Sequence, residues 1–112
     1  MVERAGWGNA MRYLLTGDEF DADTAFRLGL VQEVVETGRQ FDRAIELAAI
    51  IAAQAPLAVR ETISSARKGI FHGWLAAISD FGPAQKRLMQ TEDAREGLLS
   101  FAERRPGHFS GE

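Results

Sequence analysis

The chain has 112 residues, 46% hydrophobic and 26% charged, with a net charge of −3. That is the composition of an ordinary globular domain, long enough for one core but not two. The acidic balance argues against a nucleic-acid binder, no apolar run approaches the ~20 residues of a membrane span, and zero cysteines exclude disulfides, thiolate metal sites and a cysteine nucleophile.

In chain order, the start lacks the long apolar region and small-residue cleavage site of a signal peptide. With the missing cysteines this fits a reducing compartment, and the chain is read as cytoplasmic. Asn9 to Thr16 has helical apolar spacing through Ala10, Met11, Leu14 and Leu15, with Gly17 placed to end it. Thr16 to Asp21 reads as a loop. Asp21 then suits the N-cap of a helix over residues 22–28, closed by Gly29. Leu30-Val-Gln-Glu-Val-Val35 is β-prone, and nothing else in the chain looks like its partner strand.

Helical signals dominate the rest. Phe41, Ala44, Ile45, Ala48, Ile51 and Ala52 form one apolar stripe. Pro56 fits the first turn of the next helix, whose seam is Val59, Ile63, Ala66 and Ile70, with Gly69 and Gly73 expected to break it. Trp74 to Phe81 resumes helically. Gly82-Pro83 is expected to kink or interrupt it, because proline removes a backbone donor and clashes with the preceding turn. Thr91 can cap a last helix whose apolar face is Ala94, Leu98, Phe101 and Ala102, with Glu92, Asp93 and Glu96 near its positive end.

The sequence has no GxGxxG, phosphate-loop, HExxH or GxSxG pattern. His72 and His108 are far apart, and solvated or packing roles are their default over metal or acid-base work. The acidic pairs Asp18-Glu19, Asp21 with Asp23, and Glu92-Asp93 fit capping better than proton transfer. Trp7, Tyr13, Phe71, Trp74 and Phe81 are read as core, with a ligand pocket as the alternative. Residues 1–56 carry five Lys/Arg and nine Asp/Glu, and residues 57–112 carry eight and seven, so an anionic ligand is better met by the second half. There Phe101 and Arg104, three apart, could stack a purine and meet a phosphate. The competing reading makes Phe101 core and Arg104 a solvated helix-end cation. Gly97, one turn earlier, would admit another backbone or a ligand.

The order of motifs resembles the enoyl-CoA hydratase/isomerase (crotonase) superfamily. Gly6-Trp-Gly-Asn-Ala-Met11, Leu15-Thr-Gly17, Phe20-Asp-Ala22 and Arg27-Leu-Gly-Leu-Val-Gln-Glu-Val-Val35 carry the resemblance first. Ala52-Ala-Gln-Ala-Pro-Leu-Ala-Val59, Thr91-Glu-Asp-Ala-Arg-Glu-Gly-Leu98, Ser100-Phe101, Glu103-Arg-Arg-Pro106 and Phe109-Ser-Gly111 complete it. It covers nearly the whole chain but only the C-terminal part of the family. It implies a mainly α chain: one helical region over residues 1–112 with at most one short strand near Leu30–Val35. The ββα spiral core, with its oxyanion hole and catalytic glutamates, would precede it, and the strand's partner would lie there.

The same resemblance implies acyl-CoA as ligand and no required cofactor. It further implies assembly as a homo-oligomer, a trimer or hexamer in the family, or with the missing core. It gives Phe101 the CoA adenine and Arg104, in place of a lysine, the phosphates. It implies no catalytic or metal-binding residue in this chain, and hence no hydration of enoyl-CoA by the chain alone. The alternative is a free-standing helical self-association module.

Overall fold

Capping chemistry sets most of the helix boundaries. The computed structural model describes residues 1–112 as seven helices with no β-strand. They are α1 (Val2–Ala5), α2 (Trp7–Thr16), α3 (Ala22–Arg27), α4 (Gln40–Ala52), α5 (Pro56–His72), α6 (Trp74–Leu88) and α7 (Glu92–Glu103). The chain divides into two compact units, Met1–Arg43 and Ala44–Glu112.

In the first unit, Gly17 closes α2 in a left-handed conformation, its N–H bonded to the Tyr13 carbonyl. The Asp21 carboxylate accepts the Thr24 N–H at 2.8 Å and starts α3. Helix α3 ends in a Schellman turn. The Leu30 N–H reaches the Ala25 carbonyl and the Gly29 N–H reaches that of Phe26, both at 2.9 Å, with Gly29 left-handed. The β-prone Leu30–Val35 stretch forms no strand, since no ladder partner exists in this chain. Side chains tether it instead: Arg4 donates to the Leu30 carbonyl at 3.3 Å, and Arg43 pairs with Glu33 at 2.9 Å.

In the second unit, α5 and α6 pack side by side. Two expectations hold only in part here. Gly69 does not end α5; it sits where α6 approaches, and a Cβ there would lie 3.8 Å from the Ala77 methyl. The break comes at Gly73, at φ 84°. Helix α6 runs unbroken through Pro83. Proline clashes with the Cβ of the residue before it, and Gly82 has none. Lys68–Asp80 and Glu61–Arg87 ion pairs hold α6 to α5 on either side of the proline.

The expected core is missing. Only Ala5, Ala10 and Ala84 are buried apolar residues, and no large side chain is fully enclosed. The chain exposes 9001 Å². The α4 stripe, the α5 seam residues Ile63 and Ile70, and Trp74, Leu75, Ile78 and Phe81 of α6 all face solvent.

Candidate functional site

Helix α7 and the residues after it form the most highly organised polar cluster in the chain. Thr91 caps the helix as expected, its Oγ1 accepting the Ala94 N–H at 3.0 Å. The burial of α7 is the reverse of its hydropathy. Leu98 and Phe101 are exposed, Phe101 at 86%, whereas Asp93 (4%) and Ser100 (6%) are buried. Asp93, Glu96, Gly97 and Ser100 recur at helical spacing and make one face. The 105–111 segment folds back onto that face.

Carboxylates do the holding. Glu96 takes a two-pronged grip from Arg105, with Nη1–Oε1 at 2.5 Å and Nη2–Oε2 at 3.0 Å. Its Oε1 also accepts the His108 N–H at 2.9 Å. Asp93 accepts the Ser110 N–H at 2.8 Å on one oxygen and the Gly111 N–H at 3.0 Å on the other. The Asp93 N–H donates to the Glu112 carbonyl at 3.2 Å. The Arg105 guanidinium, then the His108 amide, hold the Glu96 carboxyl well below its ordinary value, at about 2. Glu96 and then Glu103 push the Arg105 guanidinium up.

The Phe109 ring lies between two glycines. A Cβ on Gly107 would come within 2.5 Å of it, so a larger residue there would push the ring aside. A Cβ on Gly97 would meet it at 3.8 Å, an ordinary contact. What comes close to Gly97 is therefore Phe109 of the same chain, and that contact by itself does not demand glycine.

Arg104 sits just past α7 at φ 53°, ψ 41°, the only non-glycine residue with positive φ. Such a conformation costs roughly 1–2 kcal/mol for a residue with a Cβ. Because Arg104 leaves the helix, the shared-face argument from its spacing to Phe101 stops at Glu103. Both side chains are exposed, and neither takes part in an ion pair or side-chain hydrogen bond. Of the two arginines, Arg105 is engaged by Glu96 and Glu103, and Arg104 is unpaired.

The remaining candidates do not converge. Asp21 caps α3, and the Thr24 amide lowers its pKa. Glu92 pairs with Arg95 at 3.0 Å. Tyr13 packs edge-on to Phe20 at 4.8 Å. Trp7, Phe71 and Trp74 are exposed rather than core. Phe81 lines a groove of about 350 Å³ between α5 and α6, together with Glu61, Lys68, Asp80, Ala84 and Leu88. Phe71 lies on a separate face with Arg60 and Arg67. His72 and His108 are exposed, and no group of three His, Asp or Glu side chains could hold a metal. No helix is long and apolar enough to cross a membrane.

The family profile described as enoyl-CoA hydratase/isomerase matches residues 1–112. The chain belongs to that family. It is 41% identical over 106 residues to the (E)-benzylidenesuccinyl-CoA hydratase of Thauera aromatica, covering 91% of this chain and 40% of the relative. It is 34% identical over 104 residues to the crotonyl-CoA hydratase of Syntrophomonas wolfei subsp. wolfei, covering 93% and 40%. Its backbone superposes on a probable enoyl-CoA hydratase/isomerase of Mycobacterium abscessus with a TM-score of 0.93 at 44% identity, over 99% of this chain and 43% of that one. The enoyl-CoA hydratase of Bacillus anthracis gives 0.88 at 32% identity, over 99% and 43%. The chain thus spans about 40% of the length of the curated relatives it matches. Its all-helical architecture is that of the C-terminal region of the crotonase fold.

The resemblance had assigned Phe101 and Arg104 to the ligand. The polar face of α7 that organises their surroundings was missed, because Asp93 and Glu96 read equally well as charges at a helix start. The available signal was their spacing: with Gly97 and Ser100 they mark a polar stripe, and the glycine and phenylalanine of Gly107-His-Phe109 follow close behind.

Proposed function

We propose that this chain is the acyl-CoA-facing, subunit-associating part of an enoyl-CoA hydratase-type protein. It contributes binding and assembly, and it performs no hydration alone. The observation that carries this reading is the pair of exposed, unengaged side chains Phe101 and Arg104 at the end of α7, onto which the 105–111 segment is tied. An aromatic face can stack adenine, and a free guanidinium can grip a phosphate in two-pronged fashion. Of its acids, Asp21 caps α3, Asp93 ties the 105–111 segment and Glu92 pairs with Arg95. The setting is a soluble, cytoplasmic one, with no cofactor required beyond the CoA thioester itself.

The test uses the protein at its full natural length. Replacing Phe101 and Arg104 together by alanine should weaken acetyl-CoA binding at least 10-fold in an equilibrium titration, with helix content unchanged. Unchanged affinity would refute the reading.

A second reading, a helical module whose role is self-association, draws on a different observation. The apolar stripe of α4 is bare along its whole length, and exposed apolar patches of this kind mark interaction surfaces. A chain that runs as a folded monomer in light scattering, with that stripe solvated, would count against it.

A further inference from the structure

Helix α7 ends in a turn that normally calls for glycine. The Arg105 N–H reaches the Ser100 carbonyl at 3.1 Å and the Arg104 N–H reaches that of Phe101 at 3.3 Å. This is the Schellman pattern, and its left-handed position belongs to Arg104. The same pattern at the end of α3 uses Gly29. A side-chain-bearing residue stays in such a conformation only where its surroundings over-determine it, and such positions cluster at functional sites.

The surroundings here are explicit. On one side, Arg104 is joined to the last turn of α7. On the other, Arg105 is forked onto Glu96, the His108 amide is bound to the same carboxylate, and the Ser110 and Gly111 amides are bound to Asp93. The chain is therefore fixed to α7 both before and after residue 104. None of these ties involves the Arg104 side chain.

We propose that Glu96, assisted by Asp93, is a positioning residue: by binding the 105–111 segment to α7 it holds Arg104 left-handed and presents its guanidinium, unpaired, to the phosphates of a CoA-type ligand. The inference rests on the reading of Phe101 and Arg104 given above. It adds a division of labour between adjacent arginines. Arg105 is the internal tie, neutralised by Glu96 and Glu103, and Arg104 is the cation left for the ligand. Glu96 acts through the backbone and touches no ligand.

A double-mutant cycle on the full-length protein tests this, with adenosine 3′,5′-bisphosphate as the probe and circular dichroism as the folding control. R104A should weaken binding about 10-fold. E96Q should weaken it about 5-fold with Arg104 present and less than 2-fold in the R104A background, because its effect passes through that residue. An equal loss in both backgrounds would make the effect of Glu96 general, and would overturn the inference while leaving the role of Arg104 standing. Full affinity in E96Q would do the same. No loss in R104A would overturn both. Should E96Q fail to fold, D93N, which loosens the far end of the segment, enters the same cycle with the same expected pattern.

Discussion

Helices α4 and α7 are of similar length, and each carries an apolar stripe, yet they are held in opposite ways. The stripe of α4 from Phe41 to Ala52 has no buried residue, with Phe41 at 72% and Ile51 at 56% exposure. Helix α7 also leaves its apolar side bare, but its polar side is covered by the 105–111 segment and bound by two carboxylates. The difference teaches what each surface is for. Directional hydrogen bonds and a forked ion pair fasten the 105–111 segment to α7. A bare apolar stripe is stabilised only when another surface covers it, at about 25 cal/mol per Å² buried.

The most damaging change should be a charge on the α4 stripe. Ile45→Glu is expected to weaken association of the protein by about 3 kcal/mol, roughly 100-fold in Kd, because a lone carboxylate would enter an apolar interface. Sedimentation across a concentration series reads this out. Unchanged association would mean that the stripe stays solvated, and the contrast with α7 would lose its meaning.

Next comes Asp93→Ala. It removes an ionised acceptor of two backbone amides, so it should cost about 2–3 kcal/mol in urea denaturation. Hydrogen exchange at Ser110 and Gly111 should accelerate while the α5 and α6 amides stay protected. Uniform acceleration would show that the α7 ties support more than their own segment.

Acid should loosen the same segment. The Glu96 carboxyl is held at about 2, below its ordinary 4.5. Its folded-state value is depressed, so its contribution is fully present above pH 4.5 and is lost as pH falls towards 2. Stability measured across that window should decline, and E96Q should remove the Glu96 share of the slope. An identical slope in E96Q would place the acid sensitivity elsewhere.

The smallest effect is expected from Gly97→Ala. A methyl there meets Phe109 at an ordinary 3.8 Å, and alanine gains up to about 1 kcal/mol over glycine within a helix. A gain in stability accompanied by weaker ligand binding or association would show that another molecule approaches α7 at Gly97. A loss of stability would mean that the Phe109 ring is packed more tightly than that contact implies.

Much of the helical layout was legible in the sequence because its signals are local. Asp21, Thr91, Pro56 and Gly17 mark helix ends through their own side chains or backbone freedom, and each does so here. The errors arose where a local rule met a neighbouring element. Gly69 stays inside α5, with Ala77 of α6 close by. Pro83 does not interrupt α6; Gly82 spares it the Cβ contact with the proline ring, and ion pairs on either side tie α6 to α5. Leu30–Val35, read from the sequence as strand-like but without a partner in this chain, accordingly forms no strand. Asp93 was unreadable as a tie because the amides it holds lie 17 and 18 residues away.

By itself, then, the sequence determined the mainly α character, most of the helix ends and, through the order of its motifs, membership of the enoyl-CoA hydratase/isomerase family. These depend on residues within a few positions of one another, or on motif order alone. Only the tertiary structure decided which face of each helix is covered. It alone showed that α7 turns its polar face inward, that Arg105 is engaged while Arg104 is free, and that residue 104 is left-handed. Helical periodicity states which side chains share a face, but what lies opposite that face depends on chain folded back from elsewhere.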